Sequence, residues 1–502
     1  MQHTPVRPKY VLIMIITLAI TVRTLGITTR SIWYDEAFSI LFSEKGAAAM
    51  IYGTLSSSGL GAADIHPLGY YMILWGWMNL TGQSLPALRI LSIIAGLIVV
   101  FLSYLIGREL FGEKTGLTSA LIVALAPFQI HFAQEIRMYV FMCMWLLLAT
   151  YAYIRASREN RWEWWGVFSI SAALSQYTHN MAAFYLIALA VSPLFSKDWA
   201  ALRAILISGL VAIILYLPWL VQLPSQIAKI NNAYWLATPG PGKVFTLLLI
   251  YVINTPIPDS WLFIGVFVSL AITIIGIWQT YRALRENKSK YSNGLWLFHL
   301  AFTPPALVYI VSQWQPIYLE RTFLASGAIF CIWLSWAIFT TDLPRPVSYI
   351  VVLMLITGSI MGIYQHITYQ GFPFGQYQAL GKSLQQNFRP GDVVLHSSKL
   401  SALPSIYFNR NLPQEYIGDP PNSSIDTLAP ATQEVLGLIA KPNIKIATLG
   451  SERAWFVIFQ RSIDEYTNDG QITHPHIQWL EENYNLISTE TWGSLVVYLF
   501  DK

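Results

Sequence analysis

Residues 66–112 read HPLGYYMILWGWMNLTGQSLPALRILSIIAGLIVVFLSYLIGRELFG. The number of times this stretch crosses a membrane decides the orientation of everything after it. A span needs about 20 mostly apolar residues, and 88–107 supplies one. The preceding PLGYYMILWGWMNL, 67–80, is short for a span and rich in Trp and Tyr, the composition of an interfacial or re-entrant helix. VFTLLLIYVI at 244–253 has the same character.

Basic residues test that reading. If both stretches are left uncrossed, one side collects Arg7, Lys9, Arg108, Lys114, Arg155, Arg158, Arg161, Lys197, Arg203, Arg282, Arg285, Lys288, Lys290 and Arg345 in short loops. The other side holds Arg30, Lys45, Arg137, Lys229, Lys243 and Arg321 on longer loops. Short loops rich in Lys and Arg lie in the cytoplasm, so the N-terminus is expected inside. Crossing at 67–80 would put GRELFGEK outside and reverse every later loop.

Composition agrees with a membrane chain. Of 502 residues, 54% are hydrophobic and 12% charged, against about a quarter charged in soluble domains. Mean hydropathy is +0.47. Apolar runs predict about eleven spans, near 10–28, 88–107, 116–133, 138–155, 162–178, 181–196, 203–221, 260–280, 294–313, 322–340 and 347–367. The first run shows no small-residue cleavage site and reads as an uncleaved span. The net charge of +4 reflects topology rather than a nucleic-acid partner. Cys143 and Cys331 sit in apolar runs and read as small core residues.

Residues 1–369 therefore form a transmembrane core with outer loops at 29–87 and 222–258. Beyond 369 the pattern changes. GDVVLHSS, IKIATLG, AWFVIFQ and SLVVYLF read as strands, and GQYQALGKSLQQNF and PHIQWLEENYNL as amphipathic helices. The segment 370–502 suits a small α/β domain, placed outside by the odd span count.

The outer loops gather ionisable groups: Asp35 and Glu36; Asp64 and His66; His131, Gln134, Glu135 and Arg137; His179; Glu320 and Arg321. Any one of them reads equally well as a solvated or snorkelling residue. Together, at an interface beside aromatic helices, they fit transfer of a group from a lipid phosphate. A prenyl tail needs hydrocarbon, its phosphate needs cations, and an acceptor hydroxyl needs a base. Asp35 or Glu36 can be that base, and Arg137 and Arg321 can hold the phosphate through paired hydrogen bonds. No phosphate-cradling glycine motif is present. His66, His131 and His179 with Glu135 could bind a divalent cation, though neither H-x-x-x-H nor C-x-x-C spacing occurs.

IWYDEAFS (32–39), the 66–112 stretch and ALAPFQIHFAQEIRMYVFMCMWLLLATYAYIRA (124–156) resemble the membrane core of bacterial glycosyltransferase family 39. That family takes in relatives of protein O-mannosyltransferases, lipid A aminoarabinose transferases and rhizobial lipopolysaccharide glycosyltransferases. The likeness is strong over roughly 10–200, thinner to 340 and absent beyond. It implies the GT-C fold and an inverting hexosyl-, mannosyl- or pentosyltransferase. The donor would be a polyprenyl-phosphate sugar at the extracytoplasmic face, and the acceptor a glycan, lipid or protein. The family's first-loop base falls on Asp35, its His-Pro position on His66 and Pro67, and its second-loop acidic position on Glu135, with Arg137 two residues on. Leu68 stands where many relatives have a second proline. The late Pro and Arg fall on Pro316 and Arg321, and Thr322 replaces the usual Tyr. A secondary transporter, a polymerase or ligase working on lipid carriers, and a receptor using the α/β domain are the competing readings. The transporter would need midplane groups or duplicated halves, and no repeat is visible.

Overall fold

The computed structural model describes residues 7–56, 64–159, 161–232, 236–286, 292–341, 343–419, 427–468, 470 and 473–502. Lys288 and Lys290 of the basic tally lie outside the described residues. The chain divides into two compact units. A helical unit comprises Met1–Thr28, Ser84–Val221 and Leu236–Thr368. A loop-and-sheet unit comprises Thr29–Gln83, Gln222–Trp235 and Tyr369–Lys502. The boundaries are not linear, because the first outer loop groups with the C-terminal segment.

In the helical unit, most stretches expected to span are helical, but 181–196 is broken into Ala182–Ala190 and Pro193–Ser196. Among the described residues, seven helices are long and apolar enough to cross a membrane: Leu85–Phe111, Tyr139–Glu159, Trp199–Leu220, Asp259–Arg285, Asn293–Val311, Glu320–Phe339 and Arg345–Thr368. Pro8–Thr24 and Trp162–Thr178 have 17 residues each. The stretch expected as 116–133 is two limbs, Glu113–Leu125 and Pro127–Gln134, bent by 60°. Proline has no N–H to continue the ladder and forces its predecessor extended; Ala126 has ψ 117°. The bend turns the limb bearing His131 and Gln134 away from the first. Of the two short apolar stretches, Gly69–Thr81 belongs to the loop-and-sheet unit, and Lys243–Val252 to the helical unit with Leu247–Val252 buried.

Close approach fixes one further helix. A Cβ on Gly362 would stand 2.0 Å from the Ile253 carbonyl and 2.5 Å from Pro127, so only glycine lets Arg345–Thr368 pack against the bent limb. One turn later the same helix presents His366.

The loop-and-sheet unit contains a five-stranded sheet: β1 (Asp392–His396), β2 (Gln414–Tyr416), β3 (Arg453–Phe459), β4 (Asn485–Trp492) and β5 (Leu495–Asp501), in the order β2-β1-β3-β5-β4. β1 pairs parallel with β2 and β3, and β5 antiparallel with β3 and β4. Three of the four expected strands are present. The fourth, IKIATLG, is instead the short helix Ile444–Ala447. The Asn443 side chain caps it by accepting the Ile446 N–H at 3.0 Å. Burial there falls at Ile444 and Ala447, a spacing of three rather than two. β4 escaped notice because it is an edge strand, exposed along most of its length and lacking the alternation that marks a half-buried strand. The expected helices appear as Tyr377–Asn387 and Pro475–Asn483.

Inside the sheet, Asp392 takes Arg453 Nε at 2.8 Å and Nη2 at 2.6 Å, with Trp455 Nε1 donating at 3.0 Å. Burial opposes its charge, but the Arg453 and Trp455 hydrogen bonds prevail and hold its carboxyl below the usual range. At the other end of β1, His396 is fully buried between Ser401 Oγ at 3.2 Å and Gln414 Oε1 at 3.1 Å. Burial pushes this imidazole down to about 4.

Candidate active site

In the loop-and-sheet unit, Asp35 and Glu36 occupy the first turn of the helix Tyr34–Ser43, where the positive helix end favours carboxylates. Their environments differ. Glu36 is fully buried, and its Oε2 accepts the Trp33 N–H at 3.3 Å. That is the reciprocal half of a capping box. Asp35 is half-buried, and its backbone carbonyl accepts Ser39 Oγ at 2.9 Å. Of the pair, Asp35 is the less buried residue, although its Oδ2 is itself enclosed by the protein.

His66 is oriented by Asp64. Asp64 Oδ1 meets His66 Nδ1 at 2.6 Å and accepts the His66 N–H at 3.2 Å. A carboxylate on Nδ1 fixes the proton there in the neutral ring, leaving Nε2 as the acceptor nitrogen. The pair closes the turn that leads through Pro67 into the helix Gly69–Thr81.

In the helical unit, His131 and Gln134 lie on the short limb after the bend, and Glu135 and Arg137 in the connection to Tyr139–Glu159. Gln134, Glu135 and Arg137 are 1%, 1% and 3% exposed. Gln134 Nε2 donates to the carbonyls of Arg23 at 2.8 Å and Leu25 at 2.7 Å, while its Oε1 faces His366 Nε2 at 2.9 Å. The amide orientation makes His366 Nε2 the donor. The His131 ring stands 5.0 Å from that of His366, and its Nδ1 faces Asn254 Nδ2 at 3.2 Å. Ser92 Oγ donates to the Glu135 carbonyl at 2.7 Å.

Arg321, half-buried on the turn Glu320–Phe323, lies over the Tyr139 ring at 5.2 Å. That ring also meets Phe132 edge-on at 5.4 Å and His179 at 5.7 Å. His179 Nδ1 accepts the Met181 N–H at 3.1 Å and so ends the helix Trp162–Thr178. Lys243 forms an ion pair with Glu320 and lies over the Tyr318 ring at 5.8 Å.

The structure therefore brings together Arg321, Tyr139 and His179 in one group, and His131, His366, Gln134 and Asn254 in another. His366 and Tyr139 were not picked out from the sequence. Both sit inside apolar runs, and their partners come from distant helices. For a divalent cation, no three of His, Cys, Asp and Glu converge among the described residues. His66, His131, His179 and Glu135 do not form the ligand set considered for them, because His66 is tied to Asp64, His131 to Asn254 and His179 to its own turn.

Residues 65–221 match the family described as dolichyl-phosphate-mannose-protein mannosyltransferase. ArnT from Cupriavidus metallidurans in the apo state superposes with a TM-score of 0.66 over 97% of both chains at 12% identity. The chain has the GT-C fold. The same ArnT bound to undecaprenyl phosphate gives 0.64 over 98% of both chains at 12% identity. The archaeal oligosaccharyltransferase AglB from Archaeoglobus fulgidus, in complex with an inhibitory peptide and a dolichol-phosphate, gives 0.56 over 98% of this chain and 74% of its own at 12% identity. In sequence, an undecaprenyl phosphate-alpha-4-amino-4-deoxy-L-arabinose arabinosyl transferase of Pseudomonas paraeruginosa is 29% identical over 175 residues. That match spans 33% of this chain and 31% of the relative. The GT-C fold and the apolar helices make this an integral membrane protein. The family-39 resemblance read from the motifs agrees with the matched segment and the fold.

Proposed function

We propose that this protein transfers a sugar from a polyprenyl-phosphate donor to an acceptor hydroxyl, with inversion, at the extracytoplasmic face of a bacterial inner membrane. The observation that carries the reading is the GT-C fold matched along nearly the whole chain, joined to a half-buried Asp35 in the first turn of the first-loop helix. The matched relatives are named for polyprenyl-phosphate sugars or were solved with polyprenyl phosphates, which supports a donor of that class. Arabinosyl and mannosyl transfer appear in those names, so the donor class includes pentoses and hexoses. The acceptor is a glycan, lipid or protein.

The residues divide the work. Asp35 takes the acceptor proton as the acceptor oxygen bonds to the anomeric carbon, and the bond from that carbon to the phosphate oxygen breaks on the opposite side. Glu36 supports Asp35 by capping its helix. Arg321, held on Tyr139, and Arg137 neutralise the departing prenyl phosphate. Glu135 is a second acidic catalytic group, His66 and His131 orient substrate, and Gln134 fixes the end of the first helix. The eleven apolar stretches are read as eleven crossings, with the N-terminus cytoplasmic and residues 370–502 extracytoplasmic.

The test is transfer by purified protein from a polyprenyl-phosphate sugar. Asp35→Asn should lose turnover by a factor of about 10² or more, the scale of a general base, at unchanged expression and folding. Glu36→Gln should be milder. Near wild-type turnover by Asp35→Asn with a verified donor would remove the base assignment.

A further inference from the structure

Lys399 is a cation that none of these roles uses. It is 4% exposed, and lysine is almost never buried to that degree without a purpose for its charge. It opens the helix Lys399–Phe408 of the C-terminal segment, and its ammonium lies 5.3 Å over the ring of Tyr34. Tyr34 is the first residue of the first-loop helix, immediately before Asp35.

Just beyond the other end of the same C-terminal helix, Arg410 Nη1 donates to Glu44 Oε2 at 2.7 Å and Nη2 to Gln83 Oε1 at 2.9 Å. Tyr407 Oη donates to the Gln83 carbonyl at 2.8 Å. Glu44 is the C-terminal cap of Tyr34–Ser43. Each helix has ten residues and is therefore about 15 Å long. They run alongside in the same direction, start against start and end against end. The two anchors are unequal. The Arg410–Glu44 pair is exposed on the Arg side and contributes little, whereas a desolvated cation over an aromatic face is stronger.

The anchored end is the one that needs holding. The first turn of a helix has N–H groups without intrahelical partners and frays most readily; here the first helical bond is Ala37 N–H to the Trp33 carbonyl at 3.0 Å. A general base must stand within hydrogen-bond reach of the proton it removes, and a misplacement of about 1 Å can cost about a hundredfold.

We infer that Lys399 is a positioning residue for Asp35: through the Tyr34 ring, the C-terminal segment holds the turn that carries the base. This rests on the reading of Asp35 as the acceptor's base. The C-terminal segment thereby has a part in the reaction.

Steady-state transfer by the full-length protein tests it, with Lys399→Met, Lys399→Arg, Tyr34→Leu and Tyr34→Phe beside Asp35→Asn. Lys399→Met should lower kcat by about ten- to a hundredfold, within the range for a displaced catalytic group, and leave the donor KM within about twofold. Lys399→Arg and Tyr34→Phe, which keep the cation and the ring, should retain most of kcat. The Lys399→Met and Tyr34→Leu double variant should be no worse than the poorer single one, because both remove one contact. If Lys399→Met does not fold, the Tyr34→Leu and Tyr34→Phe pair reads the same contact with Lys399 in place. Wild-type kcat in Lys399→Met, a loss confined to KM, or additive losses would overturn the inference. An inactive Asp35→Asn beside a normal Lys399→Met would overturn it alone, whereas an active Asp35→Asn would remove the base reading beneath it.

Discussion

In the helical unit, beside side-chain pairs such as Gln134 with His366, the buried donors Arg23, Arg89 and Gln134 bond to backbone carbonyls at helix ends and bends. Arg23 donates to Ala124 at 2.8 Å and Val123 at 3.2 Å, Arg89 to Ile27 at 2.8 Å, and Gln134 to Arg23 and Leu25. In the loop-and-sheet unit, side chain meets side chain across the length of the sequence. Tyr52 Oη donates to Glu434 Oε2 at 2.7 Å, Arg410 to Glu44, and Arg453 to Asp392. The first kind of contact tolerates little change in partner because the carbonyls are fixed by the fold. The second depends on ionisation and on both residues being kept. The helical unit should therefore respond weakly to pH and the loop-and-sheet unit strongly.

The largest expected effect follows from His396. Its folded-state pKa is about 4 against 6.5 for the free group, so between these values the unfolded chain binds a proton that the folded chain does not. Stability is then lost as pH falls from about 6.5 to about 4, by on the order of 3 kcal/mol. His474, lowered to about 4 by burial and by the neighbouring His476, adds in the same direction. Asp392, held below its usual value, adds loss only at still lower pH. Amide protection in β1 and β3, corrected for the intrinsic slowing of exchange with falling pH, should drop between pH 7 and pH 5, with that of the helix Leu85–Phe111 little changed. Equal response in both would erase the contrast.

Arg321 comes next. If it clamps the donor phosphate, Arg321→Lys should lose hydrogen bonding of roughly 1.5–3 kcal/mol, about ten- to a hundredfold in catalytic efficiency against donor concentration. Arg321→Ala should lose at least as much. Unchanged efficiency in both would leave Arg321 as an interfacial anchor on Tyr139 and make Arg137 the better phosphate ligand.

Glu36→Ala removes a cap and should lower stability by about 1 kcal/mol, read as a shift in thermal midpoint. Glu36→Gln, which can still accept the Trp33 N–H, should restore most of it. Equal shifts would mean that charge rather than capping is what Glu36 supplies. Arg410→Ala should be the mildest change, under about 1 kcal/mol, as for other exposed ion pairs. A larger loss would make the second anchor of the first-loop helix as important as Lys399.

How much of this was legible in the sequence follows the same division. Hydropathy is a local signal, and most of the eleven apolar stretches contain a long helix. Pro127 and Pro193 mark breaks that the span count passed over, and the first leaves a bent limb carrying His131 and Gln134. Asp35 and Glu36 stood out as a pair. The resemblance already favoured Asp35 as the base, and the structure adds that Glu36 is a cap, because capping depends on backbone direction. The helix at 444–447 was misread because a short apolar run suits either period, and Asn443 was the overlooked cap. Lys399 carried no signal at all. Its partner lies in the first outer loop, as distant in sequence as the 366 residues that separate Arg410 from Glu44.

The most direct test of the central claim is mass spectrometry of the lipids that co-purify with Asp35→Asn. A protein that binds its donor but cannot remove the acceptor proton should retain a polyprenyl-phosphate sugar, and the mass would name the sugar class. Asp35→Asn that is folded and carries no such lipid, while also failing to bind an added polyprenyl-phosphate sugar, would contradict the assignment.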